Sequence, residues 1–167
     1  AEDPLRPLAV FGATSAATEP AAGWEVVPDL ATLRARVAAA GGADRPVVLD
    51  VYADWCISCK VMERTVYPVP EVGSRLSRFV QLKVDVTANS AADRALLESL
   101  GLFGPPSLVF FGPNGTELPG TRVQGEIDAA ALAQHLDRVL ALAAAAPAVA
   151  AVTRSATDLP REIGDDY

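Results

Sequence analysis

The chain has 167 residues, 50% hydrophobic and 21% charged, with a formal net charge of −7. That length can bury a real core without staples, and the acidic balance argues against nucleic acid or an anionic membrane surface as partner, since both select basic patches. Two cysteines are too few for a disulfide-framework domain.

Residues 1–23 are rich in Ala, Pro, Thr and Gly and read as a linker or loosely attached extension. Their opening, AEDPLRPLAV, lacks the basic start and apolar run of a secretory leader. A short strand is possible at WEVV. DLATLRARVAAAGG then puts Leu30, Leu33 and Val37 on one helical face, with Gly41 and Gly42 ending it. PVVLDVYA is apolar on both alternations, as a strand covered on both faces should be. A helix beginning at or just before Cys56 should stop or kink near Pro68.

RFVQLKVDV reads as a second interior strand. SAADRALLESLG is a helix capped by Ser90, with Leu96, Leu97 and Leu100 inward and Gly101 as terminator. SLVFFGPNGTELPGTRVQG is a hairpin turning at GPNGT. DAAALAQHLDRVLALAA closes the domain as an amphipathic helix with Leu132, Leu136, Val139 and Leu140 inward. The longest apolar stretch, Val139 to Val152, is broken by Pro147 and shorter than the roughly 20 residues a bilayer requires, so no membrane insertion is expected. Residues 147–167 finish acidic and read as a mobile tail. Strands alternating with helices and followed by a hairpin make one α/β domain over residues 24–146, its sheet flanked by helices.

Both cysteines lie in VVLDVYADWCISCKVMERTVY, three positions apart. Structural zinc needs four ligands, and the single histidine, His135, sits far away beside the apolar face of the closing helix, where it reads as a surface residue. A structural disulfide closing so short a loop removes little unfolded-state entropy. A redox pair fits better. Cys56 would stand at a helix N-terminus, where unpaired N–H groups and the macrodipole favour a thiolate. Cys59, one turn further on the same face, is placed to resolve a mixed disulfide formed at Cys56.

WCISCK after a buried strand, with GPPS ahead of a later one, is similar to the thioredoxin superfamily. More narrowly, LDVYADWCISCK, VDVTAN and LLESLGLFGPPSLVFFGPNG, in that order, resemble the C-terminal periplasmic domain of the DsbD family of membrane thiol:disulfide interchange proteins. The likeness covers roughly residues 24–145, and DPLRPLAVFG would match the linker leaving that family's last membrane helix. It implies a thioredoxin fold with a central mixed sheet and flexible ends, and a protein-disulfide reductase needing no cofactor beyond Cys56–Cys59. It further implies a periplasmic location as a domain of an inner-membrane protein, with the transmembrane domain as electron donor and the N-terminal periplasmic domain as acceptor. That acceptor supplies disulfide isomerases and cytochrome c maturation. The fragment itself is expected to be a monomer. The rival readings are a free-standing thioredoxin, a cytochrome c maturation thioredoxin, and a redox-inert binding module of the same fold.

Several side chains around the sulfurs carry expectations. Asp50 is a carboxylate inside an apolar strand, costly unless paired or protonated; it is either a structural aspartate with a partner or, as its thioredoxin counterpart implies, a proton acceptor for Cys59. Glu63, one turn beyond Cys59, is an exposed helix glutamate or, by the same resemblance, a second acidic residue of the site. Together the two should raise the thiol pKa against the helix terminus, leaving Cys56 sluggish toward generic substrates. Lys83 can approach Asp50 from the next strand. Pro106 matches the superfamily's cis-proline facing the cysteines. Pro105 before it has no N–H to offer an extended substrate. Trp55 packs beside Cys56 as a partner-facing surface, or is core. Ile57 and Ser58 stand where ordinary thioredoxins have Gly-Pro.

Overall fold

The computed structural model describes residues 23–146. In chain order the elements are β1 (Trp24–Val26), α1 (Leu30–Gly42), β2 (Val47–Tyr52), α2 (Ile57–Thr65), α3 (Pro70–Leu76), β3 (Val80–Asp85), α4 (Ala91–Leu100), β4 (Ser107–Phe111), β5 (Val123–Gln124) and α5 (Ala129–Ala145). They build a five-stranded sheet in the order β1-β3-β2-β4-β5. β1 and β2 run parallel to β3, whereas β4 is antiparallel to both β2 and β5.

The doubly apolar strand takes the centre. Every residue of β2 is buried. Val47, Leu49 and Val51 join Leu33, Val37 and Leu96 on the face covered by α1 and α4. Val48 points the other way, into a second core with Met62, Val72, Phe110 and the inward residues Leu132, Leu136 and Val139 of α5. Alternation places Asp50 on this second face.

Local signals set the helix ends. Asp29 and Asp128 cap α1 and α5 through N–H groups three residues on, at 2.7 and 2.8 Å. Ser90 and Asp93 form a reciprocal capping box, and Gly101 leaves α4 in the left-handed region at φ 64°.

Three features depart from the sequence expectation. After α2 ends, a second short helix, α3, starts on Pro70 and packs Val72 and Leu76 inward, tied to α5 by Arg75–Asp137 at 2.7 Å. The hairpin turns at GPNGT, but its returning strand is broken. Phe111 faces Glu117 while Leu108 faces Val123, so the return takes six residues where β4 takes three. The excess bulges out through Pro119–Thr121, and the buried Thr121 hydroxyl donates to the Leu118 carbonyl at 2.7 Å. His135 is half-buried rather than a surface residue. Its ring lies 5.5 Å from Phe110, and Nε2 is 2.6 Å from the Thr121 carbonyl, because the bulge folds back onto α5.

Residues 1–22 and the tail at 147–167 lie outside the described residues. Among those described, no helix is long and apolar enough to cross a membrane.

Candidate active site

β2 runs out at Tyr52, and a tight turn through Asp54 and Trp55 delivers the chain to α2. Thr87, just past β3, fixes that turn. Its hydroxyl accepts the Asp54 N–H at 2.8 Å, and its carbonyl accepts the Trp55 indole N–H at 3.2 Å. Thr87 is itself held by Asp85, whose carboxylate accepts its N–H at 2.9 Å. A lysine tightens the same corner: Lys60 donates to the Tyr52 hydroxyl and to Asp54, the latter at 3.2 Å.

Cys56 is the N-cap of α2, and its Sγ accepts the Cys59 N–H at 3.1 Å. The two sulfurs are joined as a disulfide, with Cα atoms 5.3 Å apart. Both residues are buried, Cys56 7% and Cys59 4% exposed, so access barely separates them. Position does: only Cys56 stands at the helix terminus. Trp55 is 60% exposed, which rules out the core alternative.

Beneath the helix lies a charge cluster on the second face of the sheet. Asp50, 3% exposed, is registered directly against Lys83 of β3, with the ammonium 4.0 Å from its carboxylate. Lys83 makes a shorter contact to Glu63, at 2.5 Å, reaching down from α2. The ammonium also sits over the Tyr52 ring, 4.6 Å from its centroid. Burial pushes the Asp50 carboxyl up to about 7, against the pull of Lys83; Glu63 adds to the rise and the Tyr67 hydroxyl opposes it. Tyr67 is pushed well above its ordinary range, first by burial and then by Asp50. The two acidic residues are therefore not equivalent: one is a buried carboxyl titrating near neutrality, the other a half-buried carboxylate held by a lysine.

Lys83→Met should move Asp50 further up from about 7, because the one cation opposing desolvation is lost. A carboxyl-carbon NMR titration reads this directly, and an unchanged midpoint would mean that Lys83 serves Glu63 alone.

The loop ahead of β4 supplies another wall at this end of the sheet, since Ser107 pairs with Val51. The Pro105–Pro106 peptide is cis, as expected. The Pro106 carbonyl accepts the Gly125 N–H at 2.9 Å. His135 takes no part in the site. Among the described residues, no group of three or more His, Cys, Asp or Glu could hold a metal ion.

The thioredoxin-like domain family matches residues 33–140. The solution structure of a thioredoxin from Thermus thermophilus shares the fold, with TM-score 0.61 at 24% identity over 74% of this chain and 92% of that one. The oxidised DsbD C-terminal domain of Neisseria meningitidis matches with TM-score 0.59 at 36% identity, over 68% of this chain and 98% of that one. The chain belongs to the thioredoxin-like family, among the DsbD C-terminal domains. Thiol:disulfide interchange protein DsbD 1 of Pseudomonas aeruginosa is 46% identical over 138 residues, which are 81% of this chain but only 23% of that protein.

Within this DsbD-type domain, the sequence-predicted residues fall into three connected parts. Cys56, Cys59 and Trp55 stand together at the start of α2, Asp50, Glu63 and Lys83 form a charge cluster between that helix and the sheet, and Pro105 and Pro106 lie in the loop before β4. Two contributors escaped sequence reasoning. Thr87 lies within VDVTAN, but nothing in the letters shows that its hydroxyl and carbonyl pin the turn before Cys56. Tyr67 sits past the end of α2 and reaches Asp50 only because the chain turns there toward α3.

Proposed function

We propose that this chain is a thiol:disulfide oxidoreductase acting as a reducing relay, loaded by the dithiol of a membrane-embedded domain and discharging to a periplasmic partner domain. The observation that carries the reading is the Cys56–Cys59 disulfide at the N-terminus of α2, the helix whose Glu63 shares Lys83 with a buried carboxyl that titrates near neutrality. The kinship with DsbD C-terminal domains supports the direction of flow.

In the reduced chain, the Cys56 thiolate attacks one sulfur of the acceptor's disulfide, and the other acceptor sulfur leaves as a thiolate. Cys59 gives its proton to the ionised Asp50 and attacks Cys56 Sγ. The mixed disulfide breaks, the second acceptor sulfur leaves, and Cys56–Cys59 is restored. Two electrons have moved to the acceptor. The donor's dithiol reloads the pair by the same steps in reverse. The helix N–H on Sγ favours the thiolate that begins each cycle. Lys83 holds Glu63 and opposes the rise of Asp50, keeping its proton exchangeable near neutral pH. Trp55, Pro105 and Pro106 form the surface against which the acceptor seats. The site needs no bound cofactor, and the domain works as a monomer on the periplasmic side of the inner membrane.

The test mixes the reduced chain with the oxidised N-terminal periplasmic domain of DsbD and counts thiols on each by alkylation and intact mass. Two thiols should disappear from this chain as two appear on the acceptor. The chain's reduction potential should lie well below the roughly −120 mV of a strong oxidant. Failure to reduce that domain, alongside rapid reduction of cytosolic enzyme disulfides, would make it an ordinary thioredoxin.

A further inference from the structure

Tyr52 closes β2 and is buried, yet charged side chains from three parts of the chain converge on it. Its hydroxyl donates to the Asp54 carboxylate at 2.7 Å and accepts from the Lys60 ammonium. Those two belong to the turn before Cys56 and to α2. The ring itself meets the third, the Lys83 ammonium of β3, which stands over it 4.6 Å from the centroid. Tyr52 also belongs to the apolar cluster that contains Cys56 and Cys59.

Lys83 is nearly enclosed, its side chain 14% exposed, so the ammonium must find its partners inside the protein. Glu63 gives a close contact at 2.5 Å, whereas Asp50 stands at 4.0 Å, beyond a hydrogen bond. Left to those two, the ammonium would follow Glu63, which is nearer and, at 31% exposed, can draw it toward solvent. The Tyr52 ring opposes that drift. A cation over an aromatic face is attracted by the ring's quadrupole, more strongly where water is excluded. Trp24 adds a second ring at 6.0 Å, the outer limit of such contacts. Tyr52 and Asp50 lie two positions apart on β2, so the ring keeps the ammonium against the strand that bears the buried carboxyl.

The other titratable groups at this corner have separate engagements. Tyr67, pushed well above its ordinary range by burial and then by Asp50, stays a neutral hydroxyl. Asp85, opposite Tyr52 on β3, accepts from Thr87. Asp54 and Lys60 pair with each other at 3.2 Å on the hydroxyl side of the ring.

We propose that Tyr52 is a positioning residue, its ring the platform that keeps Lys83 shared between Asp50 and Glu63. It acts through Lys83 on the proton that Asp50 takes from Cys59. The proposal rests on the exchange reading above and adds to it the residue that holds the counter-ion of the base in place.

The experiment uses the full chain and its Tyr52→Phe and Tyr52→Leu variants, each reduced and mixed with the oxidised N-terminal periplasmic domain of DsbD. Release of the mixed disulfide is followed on both sides of neutral pH. Tyr52→Phe keeps the ring, and Asp54 and Lys60 keep each other, so its midpoint should match wild type. Tyr52→Leu removes the platform. Its midpoint should lie higher, and release at neutral pH should slow roughly two- to fivefold, the scale of one cation–π contact. The deficit should close at alkaline pH, where Asp50 is ionised in both proteins. A loss equal at every pH, a midpoint shared with wild type, or a Tyr52→Phe shift as large as that of Tyr52→Leu overturns the proposal. A measurement on the wild-type chain stands apart from any folding defect in the variants. By proton NMR, the ε-methylene of Lys83 should resonate upfield of an exposed lysine's, because it lies over the ring; an unshifted methylene overturns the platform. A wild-type profile with no step near neutral pH overturns the role of Asp50 in exchange, and the kinetic effect of Tyr52 with it, while the methylene shift decides separately whether the ring holds Lys83.

Discussion

Cys59→Ala should stop exchange halfway, leaving the acceptor covalently attached through Cys56, whereas Cys56→Ser should abolish exchange without trapping anything. The argument turns on position, because the two residues are almost equally buried. Cys56 caps α2, and its sulfur already receives the Cys59 N–H at 3.1 Å. A thiolate formed there gains a charge-assisted hydrogen bond and the positive end of the helix. Cys59 lies one turn inside, on the face that also buries Met62. Its sulfur can reach Cys56 but has no comparable claim on an incoming disulfide. Removing Cys56 should therefore lower turnover to about a thousandth or less, the scale on which loss of a nucleophile acts. Removing Cys59 should spare the first attack and block release. Intact mass under non-reducing conditions would show the adduct as the sum of both partners. An adduct from Cys56→Ser, or wild-type turnover from Cys59→Ala, would reverse the assignment of the two sulfurs.

What the letters disclosed follows the strength of each local signal. β2 was legible because a strand buried on both faces has to be apolar throughout, and the one exception, Asp50, marked itself by that contrast. Ser90 as a cap and Gly101 as a stop announced α4, and apolar periodicity announced α1 and α5. α3 was not legible, since two turns are too few to establish a period and Pro68 obscured the break before it. The broken return strand after GPNGT was equally hidden. A bulge depends on which side chains β4 and α5 leave room for, and Thr121 is an ordinary polar residue until it is buried. The site divided in the same way. Spacing gave the cysteines, and neighbouring strands suggested Lys83 beside Asp50. That Lys83 would lean toward Glu63 depends on how α2 lies over the sheet, a matter of packing that no spacing rule contains.

Asp50→Asn should stabilise the oxidised protein and slow its chemistry, both most clearly above neutral pH. Unfolded, this carboxyl ionises near ~3.9; folded, burial holds it protonated up to about 7. Between those values the native state keeps a proton that the unfolded state has released. The contribution of Asp50 to stability is therefore fully present below about pH 4, falls as pH rises toward 7, and levels off above it. The gap between the two midpoints corresponds to about 4 kcal/mol at its full extent, an upper scale for a group whose surroundings can relax. Asparagine never ionises, so the variant should exceed wild type by roughly 2–4 kcal/mol at pH 8, and the difference should vanish near pH 4. Lys83 is not stranded by the change, because Glu63 remains at 2.5 Å. Urea unfolding at several pH values reads the stability arm. The kinetic arm follows from the same proton: without a base beneath it, Cys59 must lose its proton to solvent before it can attack. Resolution of the mixed disulfide at pH 7 should slow by roughly tenfold to a hundredfold, the lower range of what a positioned base supplies. A variant more stable at pH 8 yet unimpaired in resolution would reduce Asp50 to a buried structural charge; one no more stable would mean that its carboxylate is solvated better than its burial implies.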